Sequence, residues 1–232
     1  MCDISLILPT YNERENIEML IKRIFSSIPD VEVIIVDDDS PDRTWVAAES
    51  LRKKYPRIKV HRRVNQRGLT SAIQAGIDAA EGKSVGWLDC DLSMPPELFK
   101  RMSEHLQFAH LVVGSRYIPG GRDKRPFQRR VFSRIINSFG QFMLGTKTSD
   151  LTSGFILCRR SLIKNHRLKG AYGEYCIDLI FCAERSGFKV MEIPYRFIDR
   201  QQGKSKTCEN ILDLFILGSR YVAMILKKFK EK

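Results

Sequence analysis

The sequence predicts an α/β protein built on a mostly parallel sheet with helices on both faces. Two observations lead there. Short runs rich in β-branched residues alternate with segments whose apolar positions recur every three or four residues, and the polar, acidic and turn-forming stretches fall directly after the apolar runs. The composition agrees: 232 residues with 43% hydrophobic and 28% charged side chains suit one large domain or two small ones and exclude disorder.

The elements follow in order. Ile4 to Leu8 reads as a first strand, and Ile17, Leu20, Ile21, Ile24 and Phe25 mark the buried face of a first helix. Val31 to Val36 is a second strand, followed by a helical stretch through Ala47, Ala48 and Leu51. Ile58 to His61 leads into a helix carrying Leu69, Ala72, Ile73, Gly76 and Ile77, and Ser84 to Leu88 leads into Pro95 to Phe108. His110 to Gly114 closes the regular part. Beyond it come a basic amphipathic helix from Phe127 to Leu144, a strand from Phe155 to Cys158, a helix from Tyr175 to Ser186 and a strand from Val190 to Phe197. A last helix spans about Asn210 to Phe229. Its apolar run is interrupted by Asp213 and Arg220 and falls short of the roughly 20 residues a bilayer span needs, so it is expected to lie in an interface or pack on the body. The expected division is therefore a domain over 1–209 and an amphipathic basic helix over 210–232.

No basic region followed by an apolar stretch opens the sequence, so the protein is expected to stay in the cytoplasm. Six cysteines without a Cys-x-x-Cys pair, mostly inside apolar runs, read as buried thiols rather than a disulfide framework or zinc site. With 39 Lys and Arg against 27 Asp and Glu, the formal charge is +12. Much of the excess lies at Arg122 to Arg134 and at Arg220 to Lys232, interleaved with large apolar residues, a mixture that suits an anionic membrane surface better than a nucleic-acid groove.

Ligands of parallel sheets bind beyond the carboxyl ends of the strands, which singles out Pro9 to Glu13, Asp37 to Asp42, Asp89 to Ser93 and Gly114 to Tyr117. Asp89-Cys90-Asp91 follows a buried strand, and two acids at that spacing can hold a divalent metal that bridges nucleotide phosphates, although such a pair also serves as a helix cap. Asp37, Asp38, Asp39 and Asp42 put four carboxylates in six positions. Their repulsion needs compensating donors or a metal, while a carboxylate there can accept from a nucleobase N–H or a ribose hydroxyl.

Pro9-Thr10-Tyr11-Asn12-Glu13, Val36 to Asp42, Asp89 to Ser93, Gly114-Ser115-Arg116-Tyr117 and Asp199 to Lys206 stand in one order across nearly the whole chain. Together they resemble a family 2 glycosyltransferase of the dolichol-phosphate mannosyltransferase type, whose fold is GT-A, a Rossmann-like sheet. Arg67 to Ala72 and Ser149 to Phe155 match in kind. The resemblance implies that Pro9, Tyr11, Glu13, Val36, Asp37 and Asp38 surround the base and ribose of a nucleotide-sugar donor, that Asp89 and Cys90 lie along the nucleotide, and that Asp91 with Ser93 holds Mg²⁺ or Mn²⁺. Arg116, Arg200 and Lys206 would meet phosphates, making Asp91, Arg116 and Arg200 the catalytic set. Several positions depart from the usual pattern: Cys90 replaces a common Ala, Ser93 stands where some relatives have Gln, Lys204 replaces an acid, and Thr152-Ser153-Gly154 reorders a small-residue turn. Carboxy-terminal membrane helices carried by many relatives are not in this sequence, which aligns it with the single-domain branch.

The expected reaction is inverting transfer of a hexose, mannose from GDP-mannose, to a polyprenyl or dolichyl phosphate, carried out at the cytoplasmic face of a membrane with or without a membrane-anchoring partner subunit. An acceptor that is already an anion needs no general base, only alignment and cations, for which Arg116 with Arg129 or Arg130 are the candidates. Phe127, Val131, Ile135 and Phe139 would receive the lipid or, equally, form the core-facing stripe of a helix. The alternatives are a UDP-sugar donor, or a glycan or protein hydroxyl acceptor with Asp150 as the base. A basic nucleic-acid-binding protein is a remote third, unsupported by any groove-reading or stacking motif, so nucleic acid is not an expected partner.

Overall fold

Strand β1 (Ile4–Thr10) is buried along almost its whole length, as is β2 (Glu32–Asp37), so neither shows the alternation of a strand with one wet face. The alternation is instead between two cores. In the computed structural model, which describes residues 3–164, 166–198 and 211–232, Leu6 and Leu8 of β1 and Val33 and Ile35 of β2 face one core, while Ile7, Ile34 and Val36 face the other. The first core is completed by Ile17, Leu20, Ile21 and Ile24 of α1 (Arg14–Ser27), Ala48 of α2 (Thr44–Leu51) and Phe99 and Met102 of α4 (Leu98–His105). The second takes Ala72, Ile73 and Ile77 from α3 (Leu69–Ala79), which follows β3 (Ile58–Arg62).

The sheet has seven strands in the order β3-β2-β1-β4-β7-β5-β8, with β4 at Ser84–Trp87, β5 at Leu111–Ser115, β7 at Ile156–Arg159 and β8 at Val190–Pro194. The expected parallel pairing holds for β3-β2-β1-β4 and for β5-β8. One strand, β7, runs antiparallel between β4 and β5, so the sheet is mostly parallel, as expected. A single short apolar run carries no mark of its direction. The expected strand over Val190 to Phe197 also divides: Pro194 lacks a donor N–H to continue the ladder, and after Tyr195 the chain pairs as β9 (Arg196–Phe197) with β6 (Arg122–Asp123) in a separate ribbon. A one-turn helix, α6 (Arg160–Ile163), follows β7.

Helix α5 occupies Phe127–Leu144, as its periodicity predicts, and α7 occupies Tyr175–Arg185. The C-terminal helix α8 (Ile211–Lys230) packs on both. Its Met224 and Ile225 join the second core, and Gly218 lets it approach α5 closely, since a Cβ there would run into the ring of Phe132. A buried ion cluster pins its far end. Lys228, 1% exposed at its side chain, places Nζ 2.5 Å from Asp178 Oδ1 on α7 and 2.6 Å from Glu231 Oε2, while His166 Nε2 lies 2.8 Å from the other Asp178 oxygen.

Candidate active site

The carboxyl ends of β1, β2 and β4 open into a cavity of about 690 Å³. Its floor is made by Pro9, Tyr11 and Glu13 after β1, Asp38 after β2, and Asp89, Cys90 and Asp91 after β4. Backbone geometry aims these loops. Asn12, Asp39 and Leu92 all take left-handed conformations, at φ of 53°, 54° and 62°, conformations uncommon outside glycine and clustered here at strand ends around one site.

The four acids after β2 are distinguished by their partners. Asp37 is fully buried and accepts from Thr10 Oγ1 at 2.8 Å, Ser40 N at 2.8 Å and Ser40 Oγ at 2.6 Å, so it builds the turn and does not line the cavity. Val36 likewise lies inside β2, behind the wall. The placement of these two against base and ribose, implied by the resemblance, finds no support in the geometry: a buried strand interior offers no surface to a ligand. Asp38 does face the cavity, held by Arg63 Nε at 2.7 Å and Gly68 N at 2.8 Å. Asp39 pairs with Arg62 at 2.6 Å, and Asp42 caps α2 by accepting from Thr44 N at 2.9 Å. Each of the repelling carboxylates thus has its own donor.

Glu13 is almost buried and accepts from Asn16 Nδ2 at 2.8 Å, while the guanidinium of Arg67 stacks 3.9 Å from the ring of Tyr11 at the cavity wall. Asp89 and Asp91 are half-buried on the same wall, and Asp91 Oδ1 accepts from Ser93 N at 3.1 Å. Ser93 itself is fully buried and off the wall, its Oγ without a hydrogen-bond partner. It acts on Asp91 through the backbone rather than standing beside it as a second ligand. The two carboxylates that the loop after β4 turns to the cavity, Asp89 and Asp91, are the hard-oxygen type that Mg²⁺ or Mn²⁺ takes. A second group with metal-ligand spacing, His166, Asp178 and Cys182, is off the cavity, and Lys228 Nζ already sits among its donor atoms.

Opposite the floor, Arg116 is 5% exposed and forms a fork with Asp150: its backbone N–H and Nε donate to Oδ2 at 2.9 and 2.8 Å, and Nη2 donates to Oδ1 at 2.6 Å and to Thr152 Oγ1 at 2.9 Å. Burial opposes the arginine's charge, but the charge and hydrogen bonds of Asp150 outweigh it, and the Arg116 pKa rises well above its ordinary value. Asp150 is fully buried, bonded through both oxygens and absent from the cavity wall, an arrangement unsuited to a general base. Of the candidate acceptor pair, Arg129 lines the cavity, whereas Arg130 is exposed and reaches over Phe127, 5.8 Å from its ring. Arg200 and Lys206 lie outside the described residues.

Several wall residues carried no signal of their role in the sequence. Arg125, bound by Asp123 with Nη2 to Oδ2 at 2.6 Å, enters from the segment before α5. Tyr175, whose phenol burial pushes well above its usual pKa, accepts from Trp87 Nε1 at 2.8 Å. Leu217, Arg220 and Tyr221 come from α8. The outer surface of the same two helices is apolar: Phe127, Val131, Ile135 and Phe142 on α5 and Phe215, Ile216, Leu226 and Phe229 on α8 are exposed, whereas Phe139 turns inward to the core. Among the described residues no helix is long and apolar enough to cross a membrane.

The sequence profile of the family described as "Glycosyl transferase family 2" matches residues 5–167. The chain is 38% identical over 210 residues to polyprenol monophosphomannose synthase of Mycolicibacterium smegmatis, covering 87% of this chain and 79% of that protein. It is 36% identical over 209 residues to dolichol-phosphate mannosyltransferase of Pyrococcus furiosus, covering 88% of this chain but only 58% of that relative's length. Identity to undecaprenyl-phosphate mannosyltransferase of Micrococcus luteus is 32% over 216 residues, with 89% and 88% covered. Among solved structures, glucosyl-3-phosphoglycerate synthase from Mycobacterium tuberculosis, in complex with Mn²⁺, uridine diphosphate and phosphoglyceric acid, superposes with a TM-score of 0.75 at 18% identity, covering 97% of this chain and 78% of that one.

Proposed function

The chain belongs to glycosyl transferase family 2, a glycosyltransferase with the GT-A fold, and from that premise we infer that it transfers mannose from GDP-mannose to the phosphate of a polyprenol such as dolichyl phosphate, with inversion. One observation carries the reading. All four acids on the described cavity wall, Glu13, Asp38, Asp89 and Asp91, come from the floor, and the facing half offers Arg116, Arg125, Arg129 and Arg220 with no carboxylate. A neutral hydroxyl would need a base on that side. A lipid phosphate needs cations, which are what stand there.

On this reading Tyr11, Glu13 and Asp38 receive the base and ribose, and Arg67, stacked on Tyr11, closes that end. Asp91, with Asp89 beside it, would hold Mg²⁺ or Mn²⁺, which when bound supplies positive charge against the leaving diphosphate. Arg116, fixed by Asp150, and Arg129 orient the acceptor phosphate for attack from the opposite side. Phe132 and Ile136 offer apolar wall to the first isoprenes. The exposed aromatics of α5 and α8, with Arg130, Arg134, Lys227 and Lys230 among them, support peripheral docking on an anionic cytoplasmic leaflet, each basic residue near the surface contributing about 1 kcal/mol. A membrane-anchoring partner subunit would use the same face.

The test is turnover of GDP- and UDP-sugars with a polyprenyl phosphate and with the unphosphorylated polyprenol, metal present. GDP-mannose with the phosphate should turn over and the free alcohol should not. Equal rates with the alcohol would replace this reading by a hydroxyl-acceptor enzyme, and preference for a UDP-sugar would reassign the donor.

A further inference from the structure

We propose that Arg220, contributed by the C-terminal helix, is a phosphate-binding residue of this active site rather than part of the membrane-facing charge in which the sequence places it. The inner stripe of α8 runs Leu217, Tyr221, Met224, Ile225 and Lys228, spacings that keep one side of the helix against α5 and α7. Arg220 sits on the flank of that stripe and lines the cavity together with Leu217 and Tyr221.

Its surroundings separate it from Arg116 and Arg125 on this half. Arg116 is committed to Asp150 and Arg125 to Asp123. Arg220 is exposed, its guanidinium lies 5.7 Å from the ring of Tyr172, and no carboxylate among the described residues pairs with it. An arginine resting on an aromatic face keeps its charge and its edge N–H donors available, and that planar fork matches two oxygens of a phosphate.

The support under it is rigid. Tyr172 accepts through its carbonyl from Thr70 Oγ1 at 3.1 Å, and the adjacent Gly173 has room only for a hydrogen, since a Cβ there would strike the Tyr221 hydroxyl. Lys228, two turns further along α8 and about 12 Å away by helical rise, fixes the register through Asp178. The stretch of α8 that carries Arg220 is therefore held at the wall by packing on one side and a buried ion pair on the other. The ligand is a phosphate, of either the nucleotide donor or the lipid acceptor. The proposal rests on the reading that both substrates carry one.

Wild type, Arg220→Ala and Arg220→Lys should be compared in steady-state turnover and, by calorimetry, in binding of GDP and of a short-chain polyprenyl phosphate. The alanine variant should lose about 10- to 100-fold in kcat/KM, the lysine variant should recover part of the loss, and the thermal midpoint should not move, because the side chain is exposed and has no acid partner in the described structure. Weaker GDP binding would assign Arg220 to the donor diphosphate, and weaker polyprenyl phosphate binding with GDP unchanged would assign it to the acceptor. Unaltered kinetics and unaltered binding of both probes would overturn the proposal. If wild type turns over neither substrate pair, the functional reading fails by itself, and the binding of the two probes to wild type and Arg220→Ala still decides this one.

Discussion

The floor of the cavity and its helical wall are built on opposite principles. On the floor, acids are positioned by backbone N–H groups: Gly68 N holds Asp38 and Ser93 N holds Asp91. Those donors sit at the start of α3 and in the turn after β4, so the floor is set before any ligand arrives. On the wall, long cationic side chains project from α5 and α8, whose outer surfaces expose Phe142 at 85% and Phe127 at 70%. The difference teaches where each half obtains its order. The acidic floor is ordered by turns at the edge of the sheet, whereas the cationic wall depends on helix packing and on the ion pairs that hold Arg116 and Arg125.

The cationic half is fixed by the Arg116–Asp150 fork, and breaking it should give the largest effect. Asp150→Asn leaves a buried guanidinium without its counter-charge, which costs about 4 kcal/mol of folding stability in a denaturant titration. If the variant instead keeps full stability and loses only the chemical step, Asp150 is a base and the contrast between the halves is wrongly drawn. On the floor, Asp91→Asn should lower turnover by roughly a hundred- to a thousandfold without shifting the thermal midpoint, and excess chelator should have the same effect on wild type. Activity that survives chelation would remove the metal from the floor.

The wall's own anchor is tested by Lys228→Met, which strands Asp178 and should cost about 3 kcal/mol. The pH dependence has a definite sign. Burial alone would raise the Asp178 carboxyl, but hydrogen bonds from His166 and Lys228 outweigh it and hold the pKa below its ordinary 3.8, so this contribution is present above that pH and fades as acid is added below it. Burial alone would lower Lys228, but hydrogen bonds to Asp178 and Glu231 raise it above its ordinary 10.5, so its contribution is full below that pH and fades as the solution is made more alkaline. The stability gap between wild type and variant should therefore narrow towards both the acid and the alkaline limit, and a gap that stays constant through both would point to a different anchor. The smallest effect belongs to the outer face. Phe142→Ser should weaken sedimentation with anionic vesicles by about 2 kcal/mol while leaving turnover of a short-chain soluble acceptor unchanged. Vesicle binding that ignores both this change and salt would mean that another surface docks.

The sequence by itself determined the alternation of strands and helices, the extent of α5, and the meeting of Pro9, Tyr11, Glu13, Asp38, Asp89 and Asp91 at one end of the sheet, because parallel crossovers bring every loop after a strand to the same edge. It did not separate Asp37 from Asp38. Adjacent carboxylates at a strand end look alike until the turn closes, and only then does one of them bond inward to Thr10 and Ser40 while its neighbour faces the cavity. The antiparallel direction of β7 and the reach of Arg220 into the site were likewise decided by tertiary structure. So was the capture of Arg116 by an aspartate 34 residues away. Local pattern records which face a residue shares with its near neighbours; which distant charge it meets depends on how helices and strands pack, and no spacing along the chain encodes that.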